Sequence, residues 1–391
     1  MKKIIHLMLL FTLLLTLAAA CTPKATPAPT RPPATAVAPT ATKAPEVPAW
    51  QKKWDETLVA AKKEGSLTIY GELVPELRDD LIKAFNSKYG ISLDVIVGKS
   101  NEMAARWDRE NTAGIHAVDI FHMGGGTSIL TMKPKGAYQP MEPFFILPEV
   151  TDPKGWRDGK VDFLDADKMV VPLIAGWTSY TARNTDLVPQ DVNSYKDLLK
   201  PEWKGKILLY DPFIPGAAAG WATFMLTTAF PGGLAEGTQF LKDLAATDPD
   251  RTRDVRLQVE QVAKGKYAIG LGAQHASVSD FKEKGAPITI NRFKEGGNIN
   301  PGSGCMEVAA NAPHPNAAAV YVNFILGKEG QKIIAKGFGA PPARMDVSIE
   351  GLGIDETKIA RPQDKAAITD EEFYKMQGKA MAIAKEIWGI K

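Results

Sequence analysis

The segment 67–100 reads LTIYGELVPELRDDLIKAFNSKYGISLDVIVGKS and carries the clearest structural pattern in the chain. Residues 67–70 form an apolar run that is typical of a short buried strand, and Gly71 ends it. Apolar side chains then recur at every fourth position, which indicates an amphipathic helix closed by Gly90; they are Leu77, Leu81, Phe85 and Tyr89. Residues 93–97 form a second apolar run. This order of strand, helix and strand predicts a parallel sheet covered by helices.

The same alternation continues on both sides of this segment. A helix is predicted before it, at 50–63, and a helix and a strand after it, at 101–111 and 118–123. Later apolar runs predict strands at 170–175, 179–183, 207–210, 267–271, 288–290 and 305–309. Further helices are predicted at 195–199, 217–229, 234–246, 277–284, 316–326 and 329–336. A last helix starts at Thr369, whose hydroxyl we expect to cap it while Glu372 bonds back.

These elements predict two α/β units, the second inserted into the first. We place the first lobe at residues 50–182 and 297–391 and the second at 183–296. The chain is expected to cross between them near Arg183 and again within 296–306. Each lobe is predicted to be a mostly parallel sheet with helices on both faces.

The N-terminus predicts export and a lipid anchor. Residues 1–20 combine two lysines, a short apolar run and small residues, which is the order of a secretory signal peptide. Cys21 follows in a context similar to bacterial lipoprotein signals, so we expect it to be lipidated; a plain secreted protein is the alternative. Residues 21–49 are rich in Thr, Pro and Ala, a composition that favours an extended tether. We therefore predict a protein attached to the outer face of the cell membrane.

Composition argues against several classes of function. The net charge is +2, with acids and bases interspersed, so there is no basic stripe for nucleic acid. No stretch after the leader is long and apolar enough to span a bilayer. The chain lacks G-x-S-x-G, H-E-x-x-H, C-x-x-C and Walker A motifs, so we expect neither an enzyme nor a bound cofactor; an exported hydrolase is the remaining enzymatic alternative. Cys305, in a predicted strand, is expected to be a buried and inert thiol.

Several segments together resemble bacterial extracellular solute-binding proteins with the type-2 periplasmic fold, in the branch that contains ferric-iron and thiamine binders. The resemblance covers residues 65–344 and is carried by LTIYGEL, LDVIVGKSNE, DIFHMGGGTS, SYKDLLKPEWKGKILLYDP, KGKYAIGLGAQHA and NAAAVYVNFILGKEGQKIIA. It implies a monomer that captures a small molecule between two lobes and delivers it to an ABC permease with its ATPase. A lipid-anchored sensor that passes its ligand to a receptor is the alternative.

One departure from the family pattern bears on the ligand. Ferric binders of this branch carry adjacent tyrosines where this chain has the run 273–276, AQHA. Without two phenolate oxygens a site loses most of the charge that holds Fe(III). We therefore expect a small organic or phosphorylated solute rather than iron, and no metal; if a metal is bound, Glu72 and His275 are the candidate ligands.

The expected site lies beyond the carboxyl ends of the strands, where ligands bind in open α/β sheets. The predicted ligand-binding residues are Gly71, Glu72, Ser100, Gly125, Gly126, Thr127, Trp177, Thr178, Asp211, Gln274 and His275. The glycine run 124–126 stands before a predicted helix and suits an anion; a tight turn that needs positive φ is the alternative. Trp177 is expected to stack on a flat ligand, whereas Trp221, on an apolar helix, is expected in the core.

Overall fold

The computed structural model describes residues 47–389. The predicted signal peptide, Cys21 and the linker up to residue 46 lie outside this range. The strands are β1 Ser66–Gly71, β2 Ser92–Val97, β3 Ile120–His122, β4 Tyr138–Gln139, β5 Val171–Pro172, β6 Gly176–Thr178, β7 Thr181–Asn184, β8 Ile207–Tyr210, β9 Asp250–Thr252, β10 Ile269–Leu271, β11 Ile288–Ile290, β12 Gly297–Asn300, β13 Cys305–Ala309 and β14 Ala366–Ile368.

Helices cover the strands, and most lie within a few residues of their predicted bounds. The α-helices are α1 Ala49–Glu64, α2 Pro75–Tyr89, α3 Ser100–Thr112, α4 Gly125–Thr127, α5 Pro148–Thr151, α6 Ala217–Thr227, α7 Gly233–Ala246, α8 Val255–Ala263, α9 His275–Glu283, α10 Pro315–Leu326, α11 Lys328–Phe338 and α12 Glu371–Ile387. A π-helical turn, Ser128–Met132, continues α4, and 3-10 turns lie at Lys133–Lys135, Glu142–Phe144, Pro153–Gly155, Tyr195–Leu199, Pro201–Trp203 and Glu356–Lys358. Within the described residues, no helix combines the length and the apolar character needed to cross a membrane.

The first sheet has the strand order β2-β1-β3-β13-β4, with β5 also paired to β13. Strands β1, β2 and β3 are parallel, as the sequence predicts, whereas β13 runs antiparallel to β3, β4 and β5. The predicted stripe on α2 is buried and packs with α10 and α11 in one large apolar cluster. This cluster holds the first sheet in place.

The second sheet has the order β11-β7-β10-β8-β9. Strand β8 is parallel to β9 and β10, but β7 is antiparallel to β10 and β11. Both large sheets are therefore mixed rather than mostly parallel. The reversed strands, β7 and β13, are the first to follow each passage of the chain between the sheets, which explains their opposite direction.

A three-stranded sheet of order β14-β12-β6 lies between the two larger sheets along the chain, and we call it the crossing sheet. Strand β6 directly precedes β7, and β12 lies between β11 and β13. The predicted crossing within 296–306 overlaps β12, whereas Arg183, near which the first crossing was predicted, lies in β7 of the second sheet. Strand β14 pairs with β12 in parallel and adds a third strand.

Helix α12 differs from prediction in two respects. Its N-cap is Asp370, whose carboxylate accepts a hydrogen bond from the Phe373 amide at 2.9 Å, and not Thr369. The Thr369 hydroxyl is buried and has no hydrogen-bond partner among the described residues. The predicted division assigns this helix to the first lobe, but it packs on α6 and α7, and Phe373 lies in the apolar cluster of the second sheet.

Candidate functional site

A cavity of about 910 Å³ opens where the parallel strands of both large sheets end. Glu72 follows β1, the glycine run follows β3, and Gln274 follows β10. The crossing sheet contributes Trp177 and Asn300. We call this space the main cavity. The sequence predicts a site beyond the carboxyl ends of the strands, and the main cavity lies there.

Nine of the eleven residues predicted to bind a ligand line this cavity. They are Glu72, Ser100, Gly125, Gly126, Thr127, Trp177, Thr178, Gln274 and His275. Gly71 does not line it, because it packs on His122 so closely that a β-carbon would lie 2.9 Å from the histidine Cβ. Asp211 does not line it either, since its buried carboxylate pairs with Arg251 and Arg253 at 3.4 and 3.2 Å.

A hydrogen-bonded chain connects the ends of the first strands. The Glu72 carboxylate accepts from the hydroxyl and the amide of Ser100, at 2.7 and 3.2 Å. The Ser100 hydroxyl in turn accepts from the Gly124 amide at 3.0 Å. The only carboxylate that lines the main cavity in the described chain is therefore held against the start of α3. Glu72 is less free to bind a cation than its position in the sequence suggests.

Four helical segments begin at the main cavity. These are α3, the α4 segment with its π-helical continuation, α6 and α9, and the first residues of each line the space. The first amides of a helix have no partner within it and carry its positive dipole end. Two of these ends are already occupied, since the Ser100 amide donates to Glu72 and the Gly125 amide to the Gly302 carbonyl; the starts of α6 and α9 favour negative charge.

Close packing, and not positive φ, explains the glycine at position 125. Gly124 has φ −74°, and none of Gly124, Gly125 and Gly126 has positive φ. A β-carbon on Gly125 would lie 2.4 Å from the Tyr374 hydroxyl and 3.0 Å from the Leu164 side chain. Glycine is required here because α12 presses against the loop.

Trp177 and His275 line the main cavity in different ways. The Trp177 side chain is 1% exposed, and the Arg292 guanidinium lies 4.3 Å from the centre of its ring. It is therefore a wall of the cavity more than an open stacking platform. His275 is the first residue of α9, and its Nε2 lies 2.8 Å from the Thr357 hydroxyl. Burial, followed by the charge of Lys358, lowers the pKa of His275 to about 3, so the imidazole is neutral.

Trp221 and Cys305 have the environments expected of them. Trp221 is fully buried in the apolar cluster of the second sheet. Cys305 is a buried free thiol in β13, and burial raises its pKa well above the ordinary value. Neither side chain lines the main cavity.

Among the polar residues of the main cavity that sequence reasoning missed are two tyrosines, two side-chain amides and a lysine. They are Tyr180, Asn300, Lys358, Tyr374 and Gln377. Tyr180 has φ 55°, and its hydroxyl accepts from the Asn300 amide at 2.9 Å. Asn300 could have been noticed in the sequence, because it is a polar residue at the end of a strand where the chain crosses between the sheets. Lys358 and the two α12 residues reach the cavity through tertiary packing, for which the sequence carries no local pattern.

The candidate metal ligands that line the main cavity are Glu72, His275 and two tyrosines. Among residues 47–389 there is no group of three His, Cys, Asp or Glu side chains that could hold a metal ion. Two tyrosines, Tyr180 and Tyr374, do line the main cavity. Burial raises the pKa of both phenols, so both carry their protons at neutral pH.

A second cavity, of about 540 Å³, lies on the other face of the crossing sheet. Ile299 lines this rear cavity while its neighbour Asn300 lines the main one. In the same way, Ala175 lines the rear cavity and Gly176 the main one. Because successive residues of a strand point to opposite faces, the crossing sheet separates the two spaces.

Comparisons with known proteins agree with this architecture. The family of bacterial extracellular solute-binding proteins matches residues 80–358. The spermidine/putrescine-binding periplasmic protein of Escherichia coli is 27% identical over 228 residues, or 56% of this chain and 62% of that protein. The match thus spans less than two thirds of the length of this relative.

Solved structures of low identity share the fold. Ferric iron-binding protein A of Mannheimia haemolytica, in an open conformation, gives a TM-score of 0.66 at 17% identity and covers 83% of this chain and 98% of that one. The periplasmic binding protein AfuA of Actinobacillus pleuropneumoniae, with fructose-6-phosphate bound, gives 0.58 at 20% identity over 84% and 100%. They confirm the expected type-2 periplasmic binding fold. Because the family match spans most of the chain, this protein belongs to the bacterial extracellular solute-binding proteins.

Proposed function

We propose that this protein is the extracytoplasmic solute-binding component of an ABC importer and captures a small organic solute in the main cavity. The observation that carries the proposal is that the ends of both large sheets and the crossing sheet line a single space. A solute in that space touches groups from both sheets at once. Such contacts favour a closed state if the two halves hinge about the crossing strands.

The division into lobes that this requires is close to the predicted one. Residues 183–296 contain strands β8 to β11 and helices α6 to α9, whereas β7, Thr181–Asn184, begins before that range; the first sheet lies outside it. Helix α12 packs on α6 and α7, so we assign it to the second lobe or to the region between the lobes. Delivery to a permease and its ATPase, and attachment through Cys21, belong to the same proposal.

The cavity chemistry argues against two ligands suggested by the relatives. Iron binding would need phenolates or several carboxylates, and the lining residues supply two phenols of raised pKa and the single acid Glu72. A polyamine would need several carboxylates as well. An organic or phosphorylated solute uses what the cavity does contain, namely amides, hydroxyls and apolar walls.

Native mass spectrometry of the freshly purified protein tests this proposal. We expect a bound molecule of a few hundred daltons that is released on unfolding. Small-angle scattering with and without that molecule should then show a more compact particle when it is bound. If scattering curves are identical and no small molecule is retained, the capture function is wrong. A neighbouring gene for a receptor in place of a permease would favour the sensor alternative.

A further inference from the structure

A half-buried lysine lines the main cavity without an acid to neutralise it. Lys358 lies on the 3-10 turn Glu356–Lys358, in the segment that joins α11 to α12. Among residues 47–389 no carboxylate forms an ion pair with its ammonium group. Half-buried charges in proteins are usually paired, because their desolvation is costly. A bound anion could therefore supply the counter-charge that this ammonium group lacks.

The nearest acid is already occupied. Asp355 accepts hydrogen bonds from the Ser279 hydroxyl at 2.8 Å and from the Lys282 ammonium at 3.1 Å, both on α9. It also accepts from the amide of Thr357 at 3.0 Å. These bonds hold the turn against α9, and the Asp355 carboxylate makes no ion pair with Lys358.

The ammonium group is held at a defined place. Lys358 Nζ donates to the carbonyl of Gly339, just past α11, at 2.8 Å, which leaves two of its three protons free. The neighbouring Thr357 hydroxyl bonds to His275, the first residue of α9. Lys358 and His275 both line the main cavity. The cation thus lies beside the first turn of α9.

The other charges of the cavity do not offset this cation. Glu72 is bound to Ser100, and Lys99 is exposed at the rim. His275 is neutral. Burial lowers the pKa of Lys358 by more than the negative charges of Asp355, Glu283 and Asp280 raise it, so the charged form would gain from a bound anion.

We propose that Lys358 selects the solute, by binding an anionic oxygen group, phosphate or carboxylate, next to the start of α9. This inference rests on the proposed capture function and names the class of solute. The ammonium supplies the charge, and the amides of the first α9 turn supply hydrogen-bond donors that face the same space. A neutral analogue of the same shape would leave the cation unpaired and bind more weakly.

Isothermal titration of the full chain, purified as the cell processes it, tests this assignment. The anionic probes are inorganic phosphate, citrate and fructose 6-phosphate, and the matched uncharged and cationic probes are fructose and putrescine. The variants are Lys358→Met, which keeps the length of the side chain, and Lys358→Arg, which keeps its charge. Lys336→Met is the control, since it removes an exposed lysine paired with Asp80 at 2.8 Å.

We expect wild type to bind at least one anionic probe, and Lys358→Met to weaken that binding ten-fold or more. Lys358→Arg should retain most of the affinity, and Lys336→Met should match wild type. Added salt should weaken wild type more than Lys358→Met, which a purely structural role of the lysine would not produce. Urea unfolding of each variant verifies that the fold is kept.

Three results would overturn the inference. The first is equal affinity of wild type and Lys358→Met for the bound anion. The second is a wild-type protein that binds none of the three anions. The third is a neutral or cationic solute retained from the cell. That result would leave the capture function intact but would show that the solute is not an anion. A protein that binds no small molecule of any class would refute both proposals.

Discussion

Replacement of Gly125 by alanine tests the contact that closes one end of the main cavity. The added β-carbon would lie 2.4 Å from the Tyr374 hydroxyl and 2.9 Å from the ring carbon that bears it. An ordinary contact between such atoms is about 3.5–4.0 Å, so something must move by about 1 Å. Tyr374 is only 6% exposed and sits in a packed cluster, so its ring can shift only by disturbing its neighbours.

Overpacking of this kind costs about 1–3 kcal/mol of the free energy of unfolding. We expect the Gly125→Ala variant to lose stability in that range, measured as the midpoint of urea unfolding at unchanged m-value. Because Tyr374 lines the cavity, the shift of its ring should also weaken retention of a solute, measured by native mass spectrometry.

The neighbouring Gly126 provides the matched control. A β-carbon there would lie 3.7 Å from the nearest atoms of Tyr374, which is ordinary contact. Gly126→Ala should therefore be tolerated with little change in either measurement. If both variants behave alike, or if Gly125→Ala is as stable as wild type, the glycine is not explained by the approach of α12.

Three further predictions concern the cavity wall, a helix cap and a buried histidine. Trp177→Ala and His275→Ala should each weaken binding of the co-purified solute by about ten-fold or more. Loss of a buried contact of about 1–3 kcal/mol implies an effect of this size. Unchanged affinity in both variants would place the site elsewhere. Asp370→Ala should lower the free energy of unfolding by about 1 kcal/mol in urea, whereas Thr369→Val should be nearly neutral; the reverse order would restore Thr369 as the cap. Burial lowers the pKa of His122 to about 4, so between pH 6.5 and 4 the unfolded chain binds more protons, and stability should fall as the pH is lowered through that window. His122→Gln should flatten this dependence in urea melts at pH 7, 5.5 and 4.5; an unchanged slope would mean that another group is responsible.

The parts of the fold that depend on local pattern were predictable from the sequence. The stripe from Leu77 to Tyr89 is buried as expected, and Gly90 ends its helix with φ 68°. Strand ends were predictable too, because polarity and spacing place Glu72 and the glycine run at one edge of a sheet. The site followed from that edge.

Other features depend on neighbours that no local pattern reveals. The direction of β7 and β13 is fixed by where the chain re-enters each sheet. An apolar run in the sequence indicates a strand but not the direction of that strand within a sheet. Thr369 and Asp370 are adjacent and both can cap a helix, so only packing decides between them. Asp211 stands at a strand end like Glu72, but two arginines from β9 and the residues after it take its carboxylate.

The position of α12 has a consequence for the order in which this molecule matures. Synthesis proceeds from the N-terminus, so Tyr374 and Gln377 leave the ribosome after every other residue of the cavity wall. Until then, Tyr374 does not pack against the glycine run, and the main cavity lacks that part of its wall. A chain cut short before residue 370 would retain both large sheets and still have an incomplete pocket. Under the proposed capture function, the complete cavity wall forms only when this last helix docks.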